Sequence, residues 1–157
     1  MSLLETSLFL PHRRETVFDF FADAANLQRI TPPWVDFRIT TPLPIEMRVG
    51  ALIDYRLKVH GVPIRWRTGI TAWDPPFHFV DTQLKGPYWQ WVHSHHFREA
   101  PGGTWIEDQV RFAVPGGWPI ERLFVRRDLT QIFLHRQHAT LAAFGATPEA
   151  PPVVRFR

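Results

Sequence analysis

The chain contains no cysteine, and this absence removes several kinds of chemistry at once. Disulfide frameworks, cysteine-based zinc sites, iron–sulfur clusters and thiol nucleophiles all need the missing side chain. The sequence also has no phosphate-binding glycine loop, dinucleotide fingerprint, nucleophile elbow or helical His-Glu-x-x-His motif. Nucleotide, hydride and hydrolase chemistry therefore have no support. Any catalysis would use histidine, carboxylate or hydroxyl groups, and we predict no resident cofactor.

Long hydrophobic runs are absent too, since no segment approaches the roughly 20 apolar residues that cross a bilayer. We therefore predict no membrane insertion. Residues 1–5 lack the basic region and apolar segment of a secretory signal, which favours a cytoplasmic location. The net charge is only +3, and 16 of the 18 basic residues are arginines scattered along the chain. This distribution does not predict nucleic-acid binding.

Apolar and aromatic residues are plentiful, since 45% of the 157 residues are hydrophobic and 14% are aromatic. A chain of this length and composition can bury one core without a disulfide or a metal. We predict a single domain over residues 1–146. Residues 147–157 hold three prolines and are predicted to form a loose tail, with docking of Val153, Val154 and Phe156 as the alternative.

Alternation of apolar and polar residues predicts that much of the chain is β-strand. A first strand over residues 4–10 precedes two short helical segments that begin at Arg14 and end before Pro32. Helical spacing returns from Ile120 to Phe144, where Gly145 is a typical C-terminal stop. Between these helices lie six alternating segments separated by turns rich in proline and glycine: 37–41, 51–60, 64–73, 78–84, 89–98 and 105–114.

The predicted order of elements is one strand, two short helices, six strands and one long helix. This order predicts an α+β domain in which a bent antiparallel sheet wraps around the C-terminal helix. In such a helix-grip arrangement the sheet and the helix diverge at one end. We therefore expect an internal cavity between them.

Two histidines and two large apolar residues share one face of a predicted strand. Trp91, His93, His95 and Phe97 are spaced by two, so their side chains point to the same side. Because the histidines are flanked by apolar groups, we expect this face to point inward.

The following turn predicts how this strand pairs with the next one. If Pro101–Gly102 forms a tight turn, Ala100 pairs with Gly103. This register sets His95 opposite Asp108, and it sets His93 opposite Val110 and Trp91 opposite Phe112. A slip of one residue would place charged residues on the apolar face, so the pattern favours the first register.

The predicted pair of His95 and Asp108 allows four interpretations. It can be a structural polar network, a contact for the polar end of a ligand, or a general acid/base pair in catalysis. The fourth interpretation is a metal site in which His93 and His95 bind an ion with Asp108 as third ligand. The sequence offers no obvious fourth ligand, and we predict no metal.

Further candidates for a cavity wall come from other predicted strands and from the long helix. Aromatic walls suit a flat apolar ligand. Arg136 lies on the apolar stripe of the helix, so its guanidinium can turn inward to an anion or to Asp108, or reach solvent instead. The predicted ligand-binding residues are Tyr55, Trp66, Trp91, His93, His95, Phe97, Asp108, Val110, Phe112, Leu129, Phe133 and Arg136.

Three short motifs accompany this order of elements: Gly-Pro-Tyr at 86–88, Trp-x-His-x-His-x-Phe at 91–97 and Asp-x-Val-x-Phe at 108–112. With them, the chain resembles the SRPBCC superfamily, the fold of START domains, birch-pollen-allergen-like proteins and polyketide cyclases. It is most similar to bacterial ligand-binding SRPBCC domain proteins, over roughly residues 3–144. The resemblance implies a helix-grip fold with a ligand cavity, but the superfamily hosts carriers, receptors, cyclases and dioxygenase subunits on one scaffold.

Three functions remain open at this point. The leading hypothesis is binding of a small hydrophobic or aromatic molecule in the internal cavity. The first alternative is an enzyme of the polyketide cyclase or dehydrase kind, in which His95 and Asp108 move a proton next to a carbonyl. The second is a non-catalytic interaction module whose cavity is filled by its own aromatic residues. The oligomeric state is also open, although exposed residues such as Trp118 and Phe124 could support a dimer.

Overall fold

The structure is a computed structural model that describes residues 1–148 and 153–157. Eight strands form one sheet whose neighbouring strands are antiparallel. In chain order the strands are β1 Ser2–Leu10, β2 Arg38–Ile39, β3 Leu52–Val59, β4 Val62–Asp74, β5 His78–Lys85, β6 Gln90–Ala100, β7 Gly103–Ala113 and β8 Val153–Phe156.

The helices lie before β2 and after β7. The described residues contain no helix long and apolar enough to cross a membrane. The helices are α1 Arg14–Ala22, α2 Ala24–Ile30, a 3-10 turn Pro33–Val35, α3 Gly117–Ile120, a π-helical turn Glu121–Val125 and α4 Arg126–Ala143. We refer to the continuous stretch of α3, the π-helical turn and α4 as the C-terminal helix.

The observed order confirms the predicted α+β helix-grip fold. The sheet order is β2-β3-β4-β5-β6-β7-β1-β8, so the six-strand meander is present and β1 closes against β7. The C-terminal helix begins at Gly117, three residues before the predicted start at Ile120. Pro119 falls in its first turn, where the missing N–H has no helical partner to lose. Gly145 follows the helix with a φ of +61°, the left-handed conformation expected of a C-terminal stop.

The register predicted between β6 and β7 is also confirmed. Ala100 pairs with Gly103, and His95 pairs with Asp108. Glycine is required at 103, because a Cβ there would lie 2.1 Å from the carbonyl oxygen of Leu10 in β1. The tight turn therefore determines which residues of β7 face the two histidines.

The C-terminal segment differs from the predicted loose tail. Val153–Phe156 forms β8, which pairs with β1 so that Leu4 lies opposite Phe156. Leu3 and Arg157 also exchange two backbone hydrogen bonds of 3.0 and 2.8 Å. Unpaired backbone groups of β1 are satisfied in this way at the edge of the sheet. Part of the predicted tail, residues 149–152, lies outside the described residues.

The apolar core lies at the end of the molecule where helix and sheet are in contact. One cluster joins α1 and the end of the C-terminal helix to the sheet through Phe18, Phe97 and Leu141. A second cluster packs Leu129 and Phe133 of α4 on Phe112 of β7. These contacts anchor the helix over β1 and β7, and the opposite half of the sheet curves away from it.

Candidate ligand-binding site

A cavity of about 1090 Å³ separates the C-terminal helix from β3, β4, β5 and β6, with α1 and α2 closing one side. Its volume slightly exceeds the range of roughly 300–1,000 Å³ that is typical of small-molecule sites. The cavity exists because the core contacts hold the helix over β7 while the sheet bends away. Its position is therefore a consequence of the fold.

Aromatic side chains form the sheet side of the cavity. The ring of Tyr55 stacks on that of Trp66 at 5.8 Å and 17°, and Phe37 lies 4.6 Å from Tyr55. Trp91 meets Trp66 edge to face at 5.5 Å, and Tyr88 packs on Trp91 at 4.7 Å. These rings present flat apolar surfaces that match a planar apolar ligand.

The polar atoms within this wall are paired or neutral. The indole Nε1 of Trp66 donates to the hydroxyl of Thr68 at 3.3 Å. Burial, together with the nearby negative charge of Asp81, raises the pKa of Tyr55 well above its usual value. Tyr55 therefore keeps its phenolic proton at neutral pH, and its hydroxyl can both donate and accept hydrogen bonds.

Four polar residues on three adjacent strands form what we call the Asp–His cluster: Asp81 of β5, His93 and His95 of β6, and Asp108 of β7. Strand pairing sets Asp81 opposite His93 and Asp108 opposite His95. Side chains of residues in register point to the same face of a sheet. The pairing therefore brings two carboxylates and two imidazoles together on the inner face.

Each imidazole of the cluster bonds to a different carboxylate. His95 Nε2 donates to Asp81 Oδ2 at 2.6 Å, and His93 Nε2 donates to Asp108 Oδ1 at 3.0 Å. The two rings stack with centroids 3.7 Å apart and 27° between their planes. The second oxygen of Asp108 accepts a bond of 3.3 Å from the hydroxyl of Thr6 in β1. Hydrogen bonds between β1, β5, β6 and β7 thus hold the cluster together.

A second nitrogen of His95 lies close to Asp108. Its Nδ1 is 3.1 Å from Asp108 Oδ1, but the oxygen lies off the direction of a hydrogen bond, and this buried nitrogen has no bonding partner among the described residues. A bare lone pair at this distance from a carboxylate would be repelled. The contact therefore favours a proton on this nitrogen as well.

Burial opposes charge in the cluster, but ion pairing overcomes it at three residues. Burial alone would raise the pKa of both aspartates, yet bonds from the histidines hold that of Asp108 well below its usual value and lower that of Asp81. Burial alone would lower the pKa of His95, and its contacts with Asp108 and Asp81 raise it instead. His95 is therefore the charged imidazole, facing two ionised carboxylates.

The pKa of His93 is shifted in the opposite direction from that of His95. Burial, reinforced by repulsion from His95, lowers the pKa of His93 despite the bond to Asp108. A neutral His93 that donates through Nε2 has a free lone pair on Nδ1. This Nδ1 lies 3.9 Å from Asp81 Oδ2, beyond hydrogen-bond range, on a side chain that lines the cavity.

Arg136 of α4 reaches the cavity from the opposite side. Its guanidinium carbon lies 5.5 Å from the ring centre of Phe21, and the residue is half-buried. The positive charge of Arg136 contributes to the lowered pKa of Asp81. Arg136 thus lines the cavity and contacts Phe21, and it makes no ion pair with Asp108 among the described residues.

The twelve predicted ligand-binding residues divide into two groups. Those that line the cavity are Tyr55, Trp66, Trp91, His93, His95, Leu129, Phe133 and Arg136. The other four predicted residues do not line the cavity: Phe97, Asp108, Val110 and Phe112. The reason is that alternation identifies the inner face of a strand, whereas the core under the helix covers part of that face. Phe97, Val110 and Phe112 belong to the core, and Asp108 lies behind the histidines.

Asp81 is a functional candidate that the sequence reasoning missed. It is the one acidic residue of the predicted strand 78–84, which is the signal that could have identified it. The sequence-based metal alternative named Asp108 beside His93 and His95. In the structure, Asp81 takes that place, because its carboxylate and one nitrogen of each histidine lie within 4.8 Å of one another.

Exposed residues of the β3–β4 turn and the 3-10 turn lie at the edge of the cavity together with α4. His60 in the first turn makes a 2.8 Å bond to Asp128 of α4, and both residues line the cavity. Trp34 of the 3-10 turn also lines the cavity while 57% of its surface is exposed, and it packs against His135 at 5.5 Å. Polar and aromatic residues from three elements thus form this edge.

A bent antiparallel sheet gripping one long helix around an apolar cavity with a few buried polar groups defines a protein of the SRPBCC class. The sequence places the chain in this class more narrowly. Residues 10–140 match the model of the family described as polyketide cyclase / dehydrase and lipid transport, and the chain belongs to that family.

Solved structures share the fold at low sequence identity. The Zhui aromatase/cyclase from a Streptomyces species has a TM-score of 0.72 at 14% identity, covering 92% of this chain and 94% of that one. Protein CV1439 from Chromobacterium violaceum has a TM-score of 0.72 at 12% identity, with 92% and 98% covered. Protein Ms6760 from Mycobacterium smegmatis has a TM-score of 0.69 at 15% identity, with 91% and 90% covered. No curated protein sequence matches the chain.

Proposed function

We propose that the protein binds a small hydrophobic or aromatic molecule in the cavity, with the polar end of that molecule facing the Asp–His cluster and Arg136. The observation that carries the proposal is the combination of an aromatic wall and buried charged groups on one cavity of about 1090 Å³. Apolar surface supplies most of the binding free energy at such a site, and a few polar groups set orientation.

The charges around the cavity define the polar group that fits. Arg136 offers a cation on the helix side, and His93 Nδ1 offers an acceptor on the sheet side. A carboxylate can pair with the first, and a phenol or alcohol can donate to the second. A flat aromatic molecule that carries one or both of these groups is the ligand class that the site supports.

A pair of tryptophans allows a controlled test. Trp91 lines the cavity, whereas Trp89, two residues earlier, is 71% exposed and does not contact it. The purified protein is titrated with aromatic carboxylates and phenols while thermal unfolding and tryptophan fluorescence are followed. We expect saturable binding that weakens at least tenfold in Trp91→Ala and not in Trp89→Ala. Equal affinities in the two variants, or no binding across the panel, would contradict the proposal.

An enzyme of the cyclase or dehydrase kind is the second candidate. The observation that favours it is the buried Asp–His cluster, whose His95 holds a proton between Asp81 and Asp108 beside the cavity. Such a group can give a proton to a carbonyl or leaving hydroxyl. If the protein is an enzyme, His95→Asn should abolish turnover of a bound polyketide-like substrate while leaving its affinity within about threefold. Loss of affinity alone would point to binding without catalysis.

The cavity volume argues against the third hypothesis, an interaction module with a filled interior. We also infer a cytoplasmic protein with a single domain over residues 1–146, to which β8 is added at the edge of the sheet. Exposed aromatic residues on the C-terminal helix, Trp118 and Phe124, offer a surface on which two copies could pair. Analytical ultracentrifugation of the wild type and Trp118→Ser tests that contact.

A further inference from the structure

We propose that Asp81, His93 and His95 bind a divalent first-row transition-metal ion such as Zn²⁺, with Asp108 orienting both histidines from behind. Nothing in the family assignment implies this site, and it does not depend on which apolar molecule the cavity holds. Two imidazoles and one carboxylate are a ligand set suited to such ions.

The donor atoms of the three residues lie close enough together to share one ion. One atom from each of the three residues lies within 4.8 Å of the others. Asp81 Oδ2 is 2.6 Å from His95 Nε2 and 3.9 Å from His93 Nδ1. Metal–ligand distances of about 2.0–2.2 Å place neighbouring donors of a tetrahedral ion roughly 3.3–3.6 Å apart, between these two values. Small side-chain rotations on fixed strands therefore suffice to hold an ion.

The two histidine rings are oriented so that each has one nitrogen towards Asp108 and the other towards Asp81. His93 directs Nε2 to Asp108 and has Nδ1 on the side of Asp81. His95 uses the opposite nitrogens, directing Nδ1 to Asp108 and Nε2 to Asp81. Because Asp108 can only accept hydrogen bonds, it would stabilise protons on His93 Nε2 and His95 Nδ1 once an ion displaced the proton that His95 Nε2 donates to Asp81. Both lone pairs would then face Asp81. Both rings thus present a metal-binding nitrogen to the same carboxylate.

Asp108 has the features of a supporting carboxylate. It lies 3.0 Å from one histidine nitrogen and 3.1 Å from the other, and Thr6 holds its second oxygen. His95 Nδ1 has no well-aligned bond among the described residues in this arrangement. With an ion on Nε2, this nitrogen must carry the ring proton, and a small rotation would direct it at Asp108. Metal-bound histidines commonly pair with a carboxylate in this way.

The negative charge of the two aspartates and the access from the cavity also suit a bound cation. Asp108 is buried and Asp81 is half-buried, and a divalent ion would balance their two negative charges without a second proton on either histidine. Asp81, His93 and His95 line the cavity, whereas Asp108 does not. Three protein ligands leave coordination positions free on the cavity side. An oxygen atom of a cavity ligand could occupy one of them.

The experiment uses chelator-treated protein without a polyhistidine tag and without any apolar ligand. Zn²⁺ binding is followed by calorimetry, and Co²⁺ is used as a probe because its visible spectrum reports nitrogen and oxygen coordination. We expect one ion per chain with micromolar or tighter affinity. Asp81→Asn and His93→Gln should abolish this binding, and Asp108→Asn should weaken it about 10- to 100-fold.

A histidine on the outer face of the sheet, His96, provides the matched control. His96 is the exposed neighbour of His95 on β6, and its ring stacks on His78 at 5.5 Å on the other face of the sheet. His96→Ala should leave the affinity unchanged, and circular dichroism should show every variant folded. The proposal is overturned if the wild type binds neither ion. It is also overturned if binding survives in Asp81→Asn or is lost in His96→Ala. Either result leaves apolar-ligand binding standing, because that titration contains no metal.

Discussion

His93 and His95 stack at 3.7 Å on one face of β6, yet their pKa values move in opposite directions. The difference follows from the contacts of each ring. His95 lies between Asp81 at 2.6 Å and Asp108 at 3.1 Å, whereas His93 has one close carboxylate and a second at 3.9 Å. The extra proton is therefore localised on His95, and the lone pair of His93 Nδ1 is left on the side of Asp81.

Removal of Arg136 should change which ligands bind rather than whether ligands bind. Its guanidinium is the positively charged group on the helix side of the cavity next to Phe21. Arg136→Met keeps the length of the side chain and removes the charge. We expect the affinity for aromatic carboxylates to fall about tenfold or more and the affinity for phenols of the same shape to change little. Parallel titrations of the two ligand series measure the difference, and equal losses in both would refute an electrostatic role.

Substitution of Phe112 should lower the stability of the fold without changing ligand affinity. Its side chain is fully buried in the core between β7 and α4, and it does not line the cavity. Phe112→Ala should lower the free energy of unfolding by about 3–5 kcal/mol, because it removes a large apolar group and leaves a void. Urea unfolding measures the loss. Ligand affinity of the folded fraction should stay within about threefold, and a larger change would mean that the cavity extends to β7.

The pairing of β8 should contribute measurably to stability. Phe156 packs on Phe112 at 6.2 Å, and the guanidinium of Arg126 lies 5.1 Å from the Phe156 ring. Phe156→Ala should cost about 1–3 kcal/mol in the free energy of unfolding, given its partial burial. The exposed neighbour Arg155 is the control, and Arg155→Ala should cost less than about 0.5 kcal/mol. Equal effects of the two substitutions would mean that β8 is not docked in solution.

The ion pair of Asp54 with Arg67 should give β3 and β4 a pH-dependent contribution. Hydrogen bonds of 2.7 and 3.1 Å from Arg67 outweigh partial burial and lower the pKa of Asp54 below its usual value. A carboxylate with a lowered folded-state pKa stabilises the fold above about pH 4 and loses that effect as the pH falls. Both side chains are more than a third exposed, so solvent screening limits the effect to less than about 1 kcal/mol.

The comparison with Asp54→Asn isolates this contribution, since all other carboxylates are common to both proteins. The difference in unfolding free energy between the wild type and Asp54→Asn should be largest near neutral pH. It should shrink as the pH falls below about 4 and Asp54 takes up its proton. A difference that stays constant over this range would show that the ion pair does not titrate as described.

Local sequence patterns were sufficient to predict much of the fold and part of the candidate site. The register of β6 on β7 was predictable because a two-residue turn at Pro101–Gly102 leaves little freedom in pairing. The connection from β5 to β6 is longer, so nothing local indicated that Asp81 would face His93. β8 pairs with the opposite end of the chain, and no local signal selects such a partner.

The boundary between core and cavity was not predictable from alternation. Trp91 and Phe97 occupy the same face of β6, but only Trp91 lines the cavity. Phe97 instead packs with Phe18 of α1 at 5.2 Å. Which residues are covered depends on where the helices cross the sheet, and this depends on packing between elements distant in the chain.

Native mass spectrometry of the protein isolated from its own cells tests the central claim, binding in the cavity, most directly. Comparison of native and denaturing spectra gives the mass of any molecule that the folded chain retains. We expect a reproducible apolar adduct that is lost in Trp91→Ala and retained in Trp89→Ala. A protein that carries no adduct and binds no member of the aromatic panel would show that the cavity is not a binding site.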